Sequence, residues 1–271
     1  MTLLHIIVLA IVQGITEFLP ISSSGHLILV PLLSDWPDQG VMMDVGVHVG
    51  TLGAVILYFR KDVWRLLHAF IQMLMLKKDY NRSERTMMLA IILATVPVII
   101  FGGLFSAIGL IDNFRSMEVI GWTSIIFGIL LYWYDTKSPV KINLSGLKYG
   151  HALIIGLAQV LALIPGTSRS GITMTAARAL GFSRTTAAHF SMLLSIPTIL
   201  AAATLLLIEL FTGDQQPVVS VSELLWGAGL SFISALLAIP FLMKWLQKSS
   251  MTPFVIYRVG LGLFLLYLVY L

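Results

Sequence analysis

The 271-residue sequence contains no cysteine, and only 11% of its residues are charged. Without cysteine the chain has no disulfide scaffold, no thiolate metal site and no cysteine nucleophile. Soluble domains carry about 25% charged residues, so the scarcity of charge argues against a soluble fold. Hydrophobic residues make up 58% of the chain, and its mean hydropathy is +0.93. We therefore predict an all-α polytopic membrane protein, with residues 1–271 forming a single membrane domain.

Apolar stretches of about 20 residues, the length that crosses a bilayer, predict six transmembrane helices. They are Val41–Phe59, Met87–Phe105, Met117–Tyr134, Thr185–Phe211, Leu224–Leu246 and Phe254–Leu271. The apolar N-terminus has neither a basic leader nor a small-residue cleavage site, so we expect it to belong to the mature protein.

Two further apolar regions are interrupted by polar residues. Leu3–Leu33 is broken by Glu17, Pro20 and a run of serines, and Ala152–Phe182 is broken by Pro165 and a Thr-Ser-Arg-Ser run. The second arm of each region is too short to span a bilayer comfortably. We predict that each region forms a re-entrant helical hairpin with a polar tip at membrane depth, where irregular backbone must be buried in protein or face water.

Three predicted spans follow each interrupted region, which predicts an inverted-topology repeat. Because three is odd, residues 149–271 should lie upside down relative to residues 1–135, with the polar site near the midplane between them. In this topology thirteen basic residues share one side. They are Arg60, Lys61, Arg65, Lys77, Lys78, Arg82, Arg85, Lys137, Lys141, Lys148, Arg184, Lys244 and Lys248. The positive-inside rule makes that side cytoplasmic, so both chain ends face outward.

The opposite side carries Asp35, Asp38, Asp112 and Asp214, with Arg115 as its one clear basic residue. On the basic side, residues 60–85 place apolar side chains at helical spacing among basic ones, which predicts a short helix. A membrane-interfacial helix and a cytoplasmic surface helix both fit this pattern.

Ionisable groups inside a membrane cost about 2.5–3.5 kcal/mol at a helix centre, so those at the polar breaks are candidates for function. Gln13 and Glu17 are four residues apart and share a helix face, where their oxygens could hold Mg²⁺ or Ca²⁺. A hydrogen-bonded pair that stabilises the helix end is the alternative. Asp44 and His48 on the first span are candidate partners near the site, with polar packing as the alternative.

The first break reads Ser22-Ser23-Ser24-Gly25-His26. Serines there can cap the second arm, whose free N–H groups can receive an anion. Ser23 and His26 are three residues apart and could meet on one face, as an activated nucleophile requires. An N-cap followed by a packing histidine is the alternative.

The second break carries Arg169, whose planar fork suits phosphate. Candidate donors around it are Gly166, Thr167, Ser168, Ser170 and Thr173. An ion pair between Arg169 and Glu17 is the alternative. Taken together, the two breaks suit phosphate ester or anhydride chemistry, which mainly needs positioning and charge neutralisation. Their placement among lipid spans predicts a lipid-linked phosphate.

These motifs resemble those of the undecaprenyl-diphosphatase family, also called bacitracin-resistance proteins. The first motif, QGITEFLPISSSGH, runs from Gln13 to His26, and the second, PGTSRSGIT, runs from Pro165 to Thr173. The resemblance covers essentially the whole chain. It implies hydrolysis of undecaprenyl diphosphate to the monophosphate and inorganic phosphate, which recycles the carrier for peptidoglycan and other envelope polymers. It also implies a divalent cation and a site open to the outer side of the bacterial cytoplasmic membrane.

Carried onto this chain, the resemblance implies that Glu17 and Gln13 hold the cation and that Arg169 clamps the diphosphate. Ser23 would attack the terminal phosphorus with His26 as base, or His26 would attack with Ser23 orienting it. Some family members have Glu at the position of Gln13, and a neutral amide offers a metal less charge. The implied substrate-binding residues are Ser22, Ser24, Gly166, Thr167, Ser168, Ser170 and Thr173.

Other functions share parts of the pattern. A transporter or flippase would also have inverted repeats and broken helices, but it would move a lipid or phosphate without hydrolysis. Another class of membrane lipid phosphatases has Ser-Gly-His and Ser-Arg motifs, yet it needs an Arg-Pro dipeptide that this sequence lacks. We expect the polyprenyl diphosphate and membrane lipids as partners, a homodimer as a candidate assembly, and no nucleic acid.

Overall fold

A computed structural model describes residues 1–34, 36–76, 81–110, 114–140, 142–143, 146–212 and 219–271, without the side chains of residues 206, 207 and 209–212. Within these residues the chain forms helices and no strand. The helices are α1 (Leu3–Thr16), α2 (Ser23–Leu33), α3 (Gly40–Tyr58), α4 (Arg60–Leu74), α5 (Arg82–Ala107), α6 (Met117–Lys137), α7 (Tyr149–Val160), α8 (Arg169–Ala179), α9 (Arg184–Thr212), α10 (Val221–Lys248) and α11 (Thr252–Tyr270).

Six helices are long and apolar enough to cross a bilayer, namely α3, α5, α6, α9, α10 and α11. They coincide with the six predicted spans. The largest difference is at α5, which begins at Arg82 instead of Met87. Asn81 explains the earlier start, because its side chain accepts hydrogen bonds from the first N–H groups of the helix. The protein is therefore an all-helical, multi-pass membrane protein.

The two interrupted regions form pairs of short helices. Helices α1 and α2 have 14 and 11 residues, and α7 and α8 have 12 and 11, all below the roughly 20 residues of a span. Residues 17–22 separate the first pair, and we call them the first tip. Residues 164–168, which precede α8, form the second tip. The predicted breaks are thus confirmed at both places.

Helix packing brings the two halves of the chain together. Helix α1 packs on α10, α7 on α5, α3 on α9 and α10, and α6 on α11. Small residues allow the closest of these approaches. A Cβ atom on Gly50 of α3 would lie 2.1 Å from the Ala228 oxygen of α10, and one on Gly156 of α7 would lie 2.6 Å from the Ala94 oxygen of α5. These glycines leave no room for a side chain between the paired helices.

The charged residues outside the tips lie mainly at helix ends. Asp135 is buried at the end of α6, and its carboxylate lies 2.7 Å from the Arg184 guanidinium and 3.5 Å from that of Arg178. The predicted helix in residues 60–85 is present as α4, with Trp64 and Leu74 exposed. The predicted topology also used Asp35, Lys77, Lys78, Asp112, Lys141 and Asp214, which lie outside the described residues.

Candidate active site

The two tips meet inside the protein. Arg169 Nη2 donates a hydrogen bond of 3.1 Å to Glu17 Oε1, which joins residues 152 positions apart in the sequence. The Ser170 hydroxyl donates to the backbone oxygen of Leu19 at 2.8 Å. The polar breaks that the sequence placed in separate halves therefore form one site.

Each tip ends in a serine with the same unusual conformation. Ser22 has φ 74° and Ser168 has φ 71°, values that are uncommon for residues other than glycine. Each serine hydroxyl accepts a hydrogen bond from the N–H three residues further on, as expected of an N-cap. The residue after each tip is the first of the following helix, Ser23 in α2 and Arg169 in α8, so these two residues occupy equivalent positions.

Glu17 is the centre of the site and is only 6% exposed. Its Oε2 accepts hydrogen bonds from Ser23 Oγ at 2.6 Å and from Gln13 Nε2 at 3.0 Å. Its Oε1 pairs with Arg169, and His48 Nε2 lies 3.6 Å from Oε2. The candidate nucleophile, the arginine and the second predicted metal ligand, Gln13, thus surround the carboxylate of the first, Glu17. The two alternatives weighed for Glu17, a pair with Gln13 and a pair with Arg169, are both present.

A second contact orients Arg169. Its Nη1 donates to the backbone oxygen of Ser191 on α9 at 3.0 Å. The Thr173 hydroxyl lies 2.7 Å from the Ser191 hydroxyl and donates to the Arg169 backbone oxygen at 2.8 Å. The guanidinium is therefore held between the first tip and α9.

His26 lies apart from this cluster. Its Nδ1 is 2.6 Å from the Ser22 oxygen, and its Nε2 is 2.6 Å from the hydroxyl of Tyr257 on α11. The two rings stack with their centroids 5.6 Å apart. No hydrogen bond joins Ser23 to His26 in the described residues. The structure therefore brings Ser23 to Glu17 and does not bring it to the histidine.

A cavity of about 290 Å³ opens beside the cluster. Its polar lining consists of Glu17, Ser22, Ser23, Ser24, Asp44, His48, Gln159, Ser168, Arg169 and Thr198. Its apolar lining consists of Val45, Val98, Ala162, Leu163, Ile199, Ala202 and Ala203. The cavity thus combines charged groups at the tips with an apolar wall between α5 and α9.

The predicted substrate-binding residues fall into two groups. Those that line the cavity are Ser22, Ser24 and Ser168. The others are buried beside it and hold the tips in place; they are Gly166, Thr167, Ser170 and Thr173.

Residues 6–264 match the family described as Bacitracin resistance protein BacA. The chain belongs to this family. Over the full length of both chains it is 50% identical to a protein of Dinoroseobacter shibae and 47% identical to one of Ruegeria pomeroyi, each named undecaprenyl-diphosphatase. It is also 49% identical to a protein of that name from Campylobacter curvus, with 99% of each chain covered. The resemblance seen in the two motifs is confirmed.

In this BacA-family chain the donors around Glu17 suit a hard cation in part. Gln13 is fully buried, and its Oε1 has no partner in the described residues. The Asp44 and Glu17 carboxylates line the same cavity, and oxygen atoms are the ligands that Mg²⁺ and Ca²⁺ take. The described residues contain no group of three or more His, Cys, Asp or Glu side chains that could hold a metal. A cation here would therefore need oxygens from the substrate as well.

Sequence reasoning missed Arg258 of α11, the largest fully buried side chain of the described residues. It donates to the backbone oxygens of Pro20 in the first tip and of Gly166 and Thr167 in the second, at 3.3, 3.0 and 2.8 Å. One signal was available, because a basic residue inside a predicted span is costly and often functional.

Proposed function

We propose that this chain hydrolyses undecaprenyl diphosphate to undecaprenyl phosphate and inorganic phosphate. The observation that carries the proposal is the cluster of Ser23 and Arg169 on the buried Glu17 carboxylate where the two tips meet. Full-length relatives named undecaprenyl-diphosphatase support the substrate. The reaction regenerates the lipid carrier of peptidoglycan and other envelope polymers, and the family description supports a role in bacitracin resistance.

The cavity suits an amphipathic substrate. Its charged end at the tips matches a diphosphate, because Arg169 offers a planar fork to phosphate oxygens. Its apolar wall includes Val98 of α5 and Ile199, Ala202 and Ala203 of α9, which match a prenyl chain. The headgroup would then lie against Ser23 while the chain leaves the cavity between α5 and α9.

The hydrogen bond from Ser23 to Glu17 supports a serine mechanism. A nucleophilic hydroxyl needs a base within about 2.6–3.2 Å, and Glu17 Oε2 lies at 2.6 Å. Ser23 Oγ attacks the terminal phosphorus, Glu17 takes the hydroxyl proton, and the bond to the oxygen of undecaprenyl phosphate breaks. Water then hydrolyses the phosphoserine and releases inorganic phosphate. Arg169 neutralises the phosphoryl oxygens in both steps.

His26 was the expected base, and its contacts favour another role. Both of its ring nitrogens have partners other than Ser23, and Tyr257 holds the ring by a hydrogen bond and by stacking. We infer that His26 holds the start of α2 against α11. Direct attack by His26 is the competing route, and a trapped phosphohistidine would establish it.

Glu17 and Gln13 would hold a divalent cation, Mg²⁺ or Ca²⁺, with phosphate oxygens completing its ligands. When bound, the cation neutralises charge on the diphosphate. Among the described residues Gln13 Oε1 is buried without a partner, and because Nε2 is the atom that faces Glu17, the amide must turn over for Oε1 to join Glu17 as a ligand. Glu17 serves both the cation and the proton of Ser23, so its two oxygens divide these tasks.

We also propose how the helix pairs enter the membrane and how the two halves of the chain are related. The helix pairs α1–α2 and α7–α8 are re-entrant hairpins, and residues 1–135 and 149–271 are inverted repeats. The same sequence offset relates Gln13 to Gln159 and Ser22 to Ser168, which supports the repeat. The first helix of each half also packs on the other half, α1 on α10 and α7 on α5.

We infer that the protein lies in the bacterial cytoplasmic membrane with its site open to the outer side. The positive-inside rule and the thirteen basic residues on one predicted side support this orientation. In that arrangement the first hairpin enters from outside and the second from the cytoplasm.

Phosphate release from undecaprenyl diphosphate by the purified protein in detergent tests the proposal. The wild type should release phosphate, a chelator should stop the release, and Arg169→Ala should abolish it. Detergent micelles have no two sides, so a transporter or flippase would release nothing. An inactive but folded wild type that moves the lipid across vesicles would contradict the proposal.

A further inference from the structure

Arg258 is a charged side chain that the proposed reaction does not use. It lies within α11 and is 0% exposed. Burying a charge is costly unless it is paired and hydrogen-bonded, and no carboxylate pairs with Arg258 in the part of the chain that the structure describes. Its surroundings must therefore supply other partners.

Those partners are backbone oxygens from both tips. Nη1 donates to Pro20 at 3.3 Å, and Nη2 donates to Gly166 at 3.0 Å and Thr167 at 2.8 Å. Nη2 also lies 3.4 Å from the Thr123 oxygen of α6. A guanidinium offers several donors in a fixed planar fork, so one side chain joins the two turns to each other.

The bonded oxygens lie one or two residues before the two strained serines. Pro20 precedes Ser22 by two residues, and Thr167 immediately precedes Ser168. A residue other than glycine keeps a positive φ only where its surroundings hold it there. Arg258 holds the chain as it enters each strained turn, so it constrains both turns at once.

Neighbouring helices leave room for this guanidinium. A Cβ atom on Gly171 of α8 would lie 2.8 Å from Arg258 Nη1, and one on Gly128 of α6 would lie 3.3 Å from the Arg258 Cβ. The residue before it, Tyr257, is hydrogen-bonded to His26 at the start of α2. Adjacent residues of α11 thus contact the first tip at Pro20, the second tip at Gly166 and Thr167, and the start of α2 at His26.

We propose that Arg258 is a positioning residue for the reaction. It fixes the tips so that Ser23 and Arg169, the residues that follow the strained serines, act on one phosphate. Arg258 is not among the described residues that line the cavity, so it acts through the turns and not by touching the substrate. The inference rests on the proposed phosphatase activity for its kinetic test, but not for its structural test.

Arg258→Lys is the informative variant, because lysine keeps the charge and loses the fork. Arg178→Lys is the matched control, since Arg178 is also buried but bonds near Asp135 and Phe182 instead of the tips. For Arg258→Lys we expect kcat to fall about 100-fold, the effect of misplacing reacting groups by about 1 Å. KM should stay within about threefold, since binding contacts remain. Arg178→Lys should keep kcat while both proteins remain folded.

Hydrogen exchange measures the tips without any reaction. The N–H groups of Gly25 and Gly171 donate to the capping serines and report on each turn. In Arg258→Lys, peptides that contain these two amides should exchange faster than in the wild type. In Arg178→Lys they should not. Wild-type exchange at both tips, or a kcat equal to that of Arg178→Lys, would overturn the proposal. A wild type without activity would contradict the proposed function, and hydrogen exchange would still show whether Arg258 holds the tips.

A second variant covers the case in which Arg258→Lys does not fold. Gly171→Ala pushes a Cβ against the fork at 2.8 Å and against the Ser168 side chain at 3.1 Å, and it leaves the charge in place. Gly260→Ala on α11 is its control, because a Cβ there meets no atom within 4 Å. We expect kcat to fall about tenfold in Gly171→Ala alone. Equal rates in the two alanine variants would argue against positioning by Arg258.

Discussion

Replacing Arg169 with lysine separates the geometry of the phosphate clamp from its charge. The two ends of the guanidinium reach different partners, Glu17 Oε1 at 3.1 Å and the Ser191 oxygen at 3.0 Å. An ammonium is a point charge and cannot reproduce a fork that spans two partners. Arg169→Lys therefore keeps the charge near the cavity but loses the orientation that presents it to phosphate.

The expected loss follows from what arginine contributes in phosphoryl transfer. An arginine that stabilises the transition state contributes a factor of about 10³–10⁵ to kcat. A variant that keeps the positive charge should lose less than this. The side chain of Arg169 is 13% exposed, so water replaces little of its role. We expect kcat to fall by about 10²–10³, which corresponds to about 3–4 kcal/mol of transition-state stabilisation.

Steady-state phosphate release in detergent measures this loss, with thermal unfolding of each variant as a check on folding. Arg115→Lys is the control. Arg115 pairs with the exposed Asp38 at 3.5 Å, and such a surface pair contributes little. Arg115→Lys should leave kcat within about twofold of the wild-type value. A folded Arg169→Lys within tenfold of the wild type would mean that Arg169 only neutralises Glu17.

Three further predictions address the nucleophile, the prenyl chain and the cation. Ser23→Ala should lower kcat by about 10³ or more and leave no trapped phosphoenzyme, whereas phosphohistidine at His26 in this variant would refute the serine route. Ala202→Trp adds bulk to the apolar wall of the cavity, so kcat/KM should fall about tenfold for undecaprenyl diphosphate and less for a short prenyl diphosphate. Leu237→Trp, at an exposed position, is the control. Equal losses for both substrates would count against a prenyl chain that runs along this wall. Activity lost in chelator should return with Mg²⁺ or Ca²⁺. Glu17→Gln removes the proposed base as well as a ligand, so direct cation binding is the measurement, and this binding should weaken; unchanged binding would remove Glu17 as a ligand.

The spans were predictable because bilayer length and apolar composition determine them. Their ends were less so, since a single capping residue such as Asn81 extends α5 by a turn beyond its apolar run. The breaks within Leu3–Leu33 and Ala152–Phe182 were predictable because polar residues and proline stand out in an apolar run. Pro20, Pro165 and the serines interrupt an apolar pattern that otherwise continues.

The meeting of Glu17 with Arg169 also followed from the sequence, because both are costly inside a membrane and each lies at a break. The pairing of Ser23 with His26 did not follow. The spacing allowed it, but Tyr257 lies 231 positions from the histidine and binds its Nε2. No local pattern reports such a contact. Arg258 was missed for the same reason, since its partners come from distant turns.

We infer that Arg169 exchanges between two partners, the Glu17 carboxylate and the phosphate of the substrate. In the structure Arg169 pairs with the Glu17 carboxylate. A diphosphate carries more negative charge than one carboxylate and so attracts the guanidinium away from Glu17. We expect that exchange to leave Glu17 with fewer donors and better able to accept the proton of Ser23, so that substrate binding would activate the serine.

Breaking the pair should therefore favour binding while it stops turnover. In chelator, where no cation contributes, Ser23→Ala with Glu17→Gln should bind undecaprenyl diphosphate about tenfold more tightly than Ser23→Ala alone, because Arg169 is free before the substrate arrives. Equilibrium binding of the lipid measures the two affinities, and Asp38→Asn in the Ser23→Ala background is the control for lost charge. Weaker binding in the Glu17 variant would mean that the carboxylate positions Arg169 for phosphate and does not compete for it.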